Sequence, residues 1–322
     1  MTTASPPPRL AIDPVVVNAV LVAVRKAANV LCDRWTLLTL LLAHTGVTRF
    51  ADFRVQGGMA TRQLSTRLTL LEEQGVMVRM VYMRRPLRHS YHLSLMGQAL
   101  FDVWVAMHAW EQRWHGPAAG LALVTEHLAC GAPVRQPDAL CACCGAAASP
   151  RFVDLQINQK DIQARPARAS AYRRSTVTVA TAAPGLALPL PHCVDVFGDK
   201  WSIEVVMCMF VRACSFGDIQ AHTGMATNIL ADRLARLAAS HIIQAVAADG
   251  TRRGAYRLSE KGAALFPVLV AIEAWADHWL RHRLRSPMQL IHRDCGKPLR
   301  LVWRCERCAL PLQRDGCGMR MA

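Results

Sequence analysis

Gly58-Met59-Ala60-Thr61-Arg62-Gln63-Leu64-Ser65-Thr66-Arg67-Leu68-Thr69-Leu70-Leu71 returns, altered but in register, as Gly224-Met225-Ala226-Thr227-Asn228-Ile229-Leu230-Ala231-Asp232-Arg233-Leu234-Ala235-Arg236-Leu237. The first four residues are identical, and Leu64, Arg67, Leu68 and Leu71 meet Leu230, Arg233, Leu234 and Leu237 at a spacing of 166 positions. Outward from this stretch the correspondence continues. Upstream, Trp35-Thr36 meets Trp201-Ser202 and Phe50 meets Phe216. Downstream one residue is lost, and Tyr91, Leu93, Ser94, Gly97, Leu100 and Phe101 meet Tyr256, Leu258, Ser259, Gly262, Leu265 and Phe266. Ala109-Trp110 and Trp114 then meet Ala274-Trp275 and Trp279. So many ordered matches identify an internal duplication.

One repeat can be read from its periodicity. Val15–Leu31 is apolar all round and predicts a buried helix; Trp35–Ala43 predicts a second, stopped by Thr45-Gly46. Phe50 and Phe53 lie on a short helical stretch before Gly57-Gly58. Thr61–Gln74 follows, with Leu64, Leu68 and Leu71 at i, i+4 and i+7 forming one buried face, Thr61 at its start and Gly75 as a stop. Its opposite face presents Arg62, Gln63, Ser65, Thr66 and Thr69, short polar groups and one Arg without a carboxylate. Such a face suits the major groove, where acidic groups would meet phosphate repulsion; a solvated amphipathic helix is the bland alternative.

Val76–Met83 and Ser90–Leu95 then read as strands joined by Arg84-Arg85-Pro86-Leu87-Arg88-His89, a basic loop. Copy two repeats this with Asp249-Gly250, a tight hairpin signal, followed by Thr251-Arg252-Arg253. A basic hairpin after a helix-turn-helix is what a wing needs to reach phosphate. Met96–Trp114 and Lys261–Trp279 predict one further helix each, whose Trp104, Trp110, Trp114, Trp275 and Trp279 read as packing residues at a helix–helix contact.

Each copy is followed by the same cysteine pattern. His127-x2-Cys130-Gly-x-Pro precedes Cys141-x2-Cys144, and His292-x2-Cys295-Gly-x-Pro precedes Cys305-x2-Cys308. Two knuckles supplying two ligands each make a tetrahedral Cys3His site, so the spacing predicts one structural zinc per copy and two per chain. Unmetallated remnants, or a set that includes Cys143 and Cys317, are the alternatives. Cys32, Cys193, Cys208 and Cys214 sit in apolar patterns and read as small buried hydrophobes.

Bulk composition bounds the rest. With 322 residues, 52% of them hydrophobic, the chain can build two or three cored domains. The formal charge of +15 is the usual electrostatic footprint of a nucleic-acid binder, a weak signal by itself because many basic proteins bind nothing specific. The apolar run near Val15–Val24 is broken by Asn18 and followed by Arg25-Lys26, too short for a bilayer, and Met1–Arg9 lacks a secretory pattern. A cytoplasmic protein without membrane contact is expected.

At this point the residues resemble the HxlR-type branch of the MarR-like winged-helix regulators. The resemblance rests on Gly198-Asp199-Lys200-Trp201 (in copy one Cys32-Asp33-Arg34-Trp35), Phe216-Gly217-Asp218-Ile219 (Phe50-Ala51-Asp52-Phe53), the two Leu-rich helices, Tyr91–Gly97 with Tyr256–Gly262, and the Trp-bearing last helix. It implies a bacterial transcription regulator that binds double-stranded DNA through two like modules. These are paired either as a homodimer or within one chain as a pseudo-dimer. The family's Ser at the start of the recognition helix is Ala60 or Ala226 here, which passes the capping role to Thr61 or Thr227. Copy two, with Ile229, Ala231 and Asp232, offers a less polar face and is the weaker reader. A small-molecule effector fits such a regulator, though the sequence does not identify one.

The expected fold is mainly α with small β-wings (α+β): two winged helix-turn-helix domains, each followed by a Cys/His segment of zinc-ribbon type. The boundaries are a tail at 1–11, domain one at 12–118, Cys/His segment one at 119–145, a linker at 146–188, domain two at 189–285 and Cys/His segment two at 286–322. The expected DNA contacts are Thr61, Arg62, Gln63, Ser65, Thr66, Arg67, Thr69, Arg84, Arg85 and Arg88, with Thr227, Asn228, Arg233, Arg252 and Arg253 from copy two. No phosphate loop, Gly-x-Ser-x-Gly or coherent carboxylate pair occurs, so no enzyme is expected. The competing reading is a protein-interaction adaptor that keeps the fold without sequence-specific DNA binding.

Overall fold

The computed structural model describes residues 14–116, 123–158, 189–211, 214–246, 254–280 and 288–321. Copy one opens with α1 (Pro14–Leu31), α2 (Arg34–His44), α3 (Phe50–Gly57) and α4 (Thr61–Glu73). The hairpin β1 (Met77–Arg84) and β2 (Leu87–Leu93) follows, then α5 (Leu95–Gln98) and α6 (Phe101–His115). Copy two runs α7 (Pro191–Phe197), α8 (Lys200–Val211), a short β7 (Cys214–Ser215), α9 (Phe216–Thr223), α10 (Thr227–Ala239), β8 (Ile243–Val246), β9 (Ala255–Leu258), α11 (Glu260–Ala263) and α12 (Phe266–Trp279). No helix among the described residues is long and apolar enough to cross a membrane.

Local chemistry sets these boundaries. Asp33 caps α2 by accepting the Thr36 N–H at 3.0 Å, and Gly58, at φ 56°, closes α3 in the left-handed region that favours glycine. In α4 the three expected leucines are buried, and so are Leu230, Leu234 and Leu237 of α10. The Tyr-x-Leu-Ser-x-x-Gly motif acts as one device. Ser94 Oγ accepts the Gly97 N–H at 3.2 Å and donates to Gly75 O at 2.6 Å, and a Cβ on Gly97 would overlap the Val76 carbonyl. Ser259 and Gly262 repeat it against His241 and Ile242.

Two expectations change here. The single helix foreseen over Met96–Trp114 is broken at Ala99-Leu100, and that over Lys261–Trp279 at Ala264-Leu265, because the Ser-capped turn is docked against the preceding strand. The wing strands also run further than foreseen. Arg84 pairs with Leu87, so only Arg85-Pro86 turns the chain and Arg88 and His89 belong to β2.

The two copies pack about a pseudo-two-fold axis. Trp110 Nε1 donates to Lys261 O at 3.0 Å, and its counterpart Trp275 Nε1 donates to Met96 O at 2.8 Å; Met96 and Lys261 are themselves counterparts. Helix α6 packs on α12, α1 lies across α8 and α12, and α7 packs on α2 and α6. Arg34 N donates to Gly198 O at 3.1 Å where the two α2-type caps meet. One continuous apolar core joins both copies, including Leu21, Leu40, Trp104, Ile203 and Leu265.

Beyond the winged helices the copies exchange strands. Strands β3 (Leu123–His127) and β4 (Ala132–Pro133) form a sheet with β13 (Cys317–Met321). Strands β10 (Met288–His292) and β11 (Lys297–Pro298) form the matching sheet with β6 (Val153–Ile157). Strands β5 (Asp138–Cys141) and β12 (Leu301–Arg304) pair on the axis. The stretch read as linker from Ala146 therefore begins with structure: β6 pairs with β10, which its Val153, Leu155 and Ile157 alternation permits. Ser175–Ala180, noted for its strand-like composition, lies outside the described residues.

Candidate DNA interface and metal centres

On α4, Thr61, Arg62, Ser65, Thr66 and Thr69 are exposed and Gln63 is half-buried, all away from the leucine face. Ala60 caps the helix without a side-chain bond, so Thr61 is its first residue and does not take over a capping role. In copy two Ala226 is likewise bare, and Thr227 Oγ1 receives Gln220 Nε2 at 3.0 Å. Arg84, Arg85 and Arg88 are exposed on the copy-one wing. Arg252 and Arg253 lie outside the described residues.

Arg67 and Arg233 do not join that face. Arg67 holds Asp33 with two bonds, Nε to Oδ1 at 2.7 Å and Nη2 to Oδ2 at 2.9 Å, and Arg233 holds Asp199 in the same way through Nε. Each aspartate is at once a helix cap and an arginine acceptor, tying the recognition helix to the helix behind it. This double use was not foreseen; the repeated Asp33/Asp199 and Arg67/Arg233 pairs were its visible signal. Asp232, foreseen as repelling phosphate, is paired with Arg233 and with Arg236 at 3.0 Å, while Asn228 and Ala231 are exposed and Ile229 half-buried.

The eight Cys/His residues converge in two groups whose ligand atoms lie within 4.8 Å of one another. The grouping crosses the copies. His127 and Cys130 join Cys305 and Cys308, and Cys141 and Cys144 join His292 and Cys295. The within-copy sets foreseen from spacing are thereby corrected: strand exchange carries each His-x2-Cys knuckle to the other copy's Cys-x2-Cys knuckle. Neither Cys143 nor Cys317 belongs to a group.

A tetrahedral zinc with thiolate and imidazole ligands requires roughly 3.8 Å between sulfurs and roughly 3.5 Å between sulfur and nitrogen. The first group has Cys130 Sγ to Cys305 Sγ at 3.8 Å, with His127 Nδ1 3.4 Å from Cys130 Sγ and 3.2 Å from Cys308 Sγ. The second has Cys141 Sγ to Cys295 Sγ at 3.9 Å, with His292 Nδ1 3.4 Å from Cys144 Sγ and 3.7 Å from Cys295 Sγ. His292 Nε2 faces Ala147 O at 3.4 Å, which orients the ring so that Nδ1 presents its lone pair to the thiols. Burial pushes the Cys141 and Cys305 thiols up, but backbone N–H groups of the following knuckle residues together with the neighbouring thiols turn the net direction down, while Cys130 and Cys144 in the same groups move up. Both groups can hold a metal ion. Cys32, Cys193, Cys208 and Cys214 are buried in the apolar core.

The model of the HxlR-like helix-turn-helix family matches residues 30–119 and 196–284, together more than half of the chain. An HTH-type transcriptional regulator of Mycobacterium tuberculosis is 33% identical over 131 residues, 41% of this chain and 82% of that protein. The HTH-type transcriptional regulator YvaP of Bacillus subtilis is 32% identical over 94 residues, 29% of this chain and 87% of its own. The solved structure of PA1607 is 37% identical, covering 41% of this chain and 93% of that one at a TM-score of 0.37. With two family domains, the winged-helix architecture and the repeated recognition helix in place, this chain belongs to the HxlR-like helix-turn-helix family and is a tandem transcriptional regulator of that type.

Proposed function

We propose that one chain reads a two-half-site operator as an intramolecular pseudo-dimer, with α4 and α10 in successive major grooves and the wings on the phosphate backbone. The reciprocal bonds of Trp110 and Trp275 carry this reading, because they relate the two recognition helices by the kind of axis that paired half-sites require. The polar face of Arg62, Gln63, Ser65, Thr66 and Thr69 reads one half-site. Asn228 and Thr227 read the other, with Ala231 and Ile229 in place of polar groups, so the operator is an imperfect palindrome. Arg67 and Arg233 position the helices instead of reading bases.

Zinc is the ion the donor set favours, held by His127, Cys130, Cys305 and Cys308 and by Cys141, Cys144, His292 and Cys295. Four protein ligands leave no position for a substrate, so its service is structural, and each ion links one copy to the other. The test selects bound fragments from genomic DNA and weighs the complex. One chain per selected operator is expected; two chains per operator, or no selected sequence, overturns the reading.

A further inference from the structure

The duplication supplies an internal control for cavities. A space of about 180 Å³ opens in copy two among Ile203, Met207 and Phe210 of α8 and Phe266, Leu269 and Ile272 of α12, closed on one side by α1. The corresponding place in copy one, bounded by Leu37, Leu41, Trp104 and Met107, holds only about 10 Å³. One substitution between the copies accounts for much of the difference: Leu269 stands where copy one has Trp104, whereas Phe210 replaces the smaller His44. Trp104 is buried and meets His44 edge-on with ring centres 5.8 Å apart, so its indole fills the space that Leu269 leaves open.

We infer that this cavity is a binding site for a small apolar ring compound, of phenol to indole size, carrying one N–H or O–H donor. The size suffices for such a ring, since an apolar cavity of about 150 Å³ is large enough to take benzene. The wall is aliphatic and aromatic, while Lys26, Glu273 and Asp277 stand at its border. Carboxylates there accept the ligand's donor, which distinguishes phenol and indole from a plain hydrocarbon. The site is made by both copies, since α1 belongs to the first and α8 and α12 to the second. Helix α8 also packs on the recognition helix α10, so occupancy bears on the half-site that α10 reads.

The experiment is calorimetric titration of the full-length metal-loaded protein with indole, phenol and, as an apolar control, toluene. It is read without DNA, so its outcome is independent of the operator reading. One indole or phenol per chain is expected, bound several-fold more tightly than toluene, with a raised melting temperature. Leu269→Trp, which restores the copy-one side chain, removes binding while keeping the metal content and helical signal. Should that variant fail to fold, L269W/F210H reproduces the His44–Trp104 pair that copy one already accommodates. Absence of saturable binding, or binding undiminished in the filled variants, overturns the proposal; toluene bound as tightly as indole overturns the donor requirement.

Discussion

Ala139 and Trp303 are the same position of the duplicated unit, and they face each other across the axis in the β5–β12 ladder. In a symmetric homodimer this position would meet its own copy. Here a small residue meets a large one, and Trp303 is 2% exposed. Trp303→Ala is expected to cost about 3–5 kcal/mol through the void it leaves. Ala139→Trp is expected to destabilise by overpacking, roughly 1–3 kcal/mol. The exchange A139W/W303A should recover much of both losses, as denaturant unfolding would read. Strictly additive losses would show that the two side chains do not share one space.

The cross-copy metal grouping makes a stoichiometric prediction. Wild-type protein should carry about two zinc per chain. Cys130→Ser with Cys305→Ser removes ligands from one group and should leave one ion. Cys130→Ser with Cys141→Ser removes ligands from both and should leave none. Elemental analysis giving the reverse order would establish within-copy sites.

Recognition and backbone roles separate on DNA. Arg62→Ala or Gln63→Ala should relax base preference at the copy-one half-site. Arg84→Ala or Arg85→Ala should weaken all sequences alike and lower the salt slope by about one for each lost phosphate contact. Unchanged selectivity in the first pair would remove the recognition role from α4. No shift of any DNA at low salt would leave the adaptor reading standing.

Arg67→Ala should behave differently from Arg62→Ala. Its guanidinium holds the half-buried Asp33 cap, so the loss falls on stability, roughly 1–2 kcal/mol, with base preference at saturating protein unchanged. Urea unfolding alongside a selectivity assay distinguishes the two outcomes.

Acid should act on copy one through His44. Burial pushes its pKa from 6.5 down to about 4, with the bond to Gly97 O opposing the shift. Between those values the unfolded chain binds the proton and the folded chain does not. The neutral ring's contribution is therefore complete above pH 6.5 and is lost as pH falls toward 4, on the order of 3 kcal/mol. His44→Phe, the copy-two residue, should lose less stability than wild type over this window. Parallel curves would show that His44 does not titrate in this way.

The helix-turn-helix was legible because buried leucines at i, i+4 and i+7 leave one interpretation of α4 and α10. The Cys/His knuckles were legible for the same reason: a two-residue gap fixes which pair shares a knuckle. Which knuckles meet was not, since both pairings satisfy identical donors and the choice depends on the exchange of β6 and β13. The break before α6 has no Pro or Gly at Ala99-Leu100 to announce it; it follows from Gly97 pressed against the Val76 carbonyl. Arg67 looked like one more basic residue on a polar face, and its bond to Asp33 was not foreseen from the sequence. The cavity was hidden as well, because Leu269 reads as ordinary core until compared with Trp104.

Covalent fusion of the copies changes the mass action of operator binding. A regulator assembled from separate subunits loses paired species as it is diluted, so its occupancy falls faster than its concentration. The Trp110 and Trp275 bonds close within one molecule, and the pairing has no dissociation into free subunits to govern it. On the proposed reading of one chain per operator, occupancy scales with the first power of chain number.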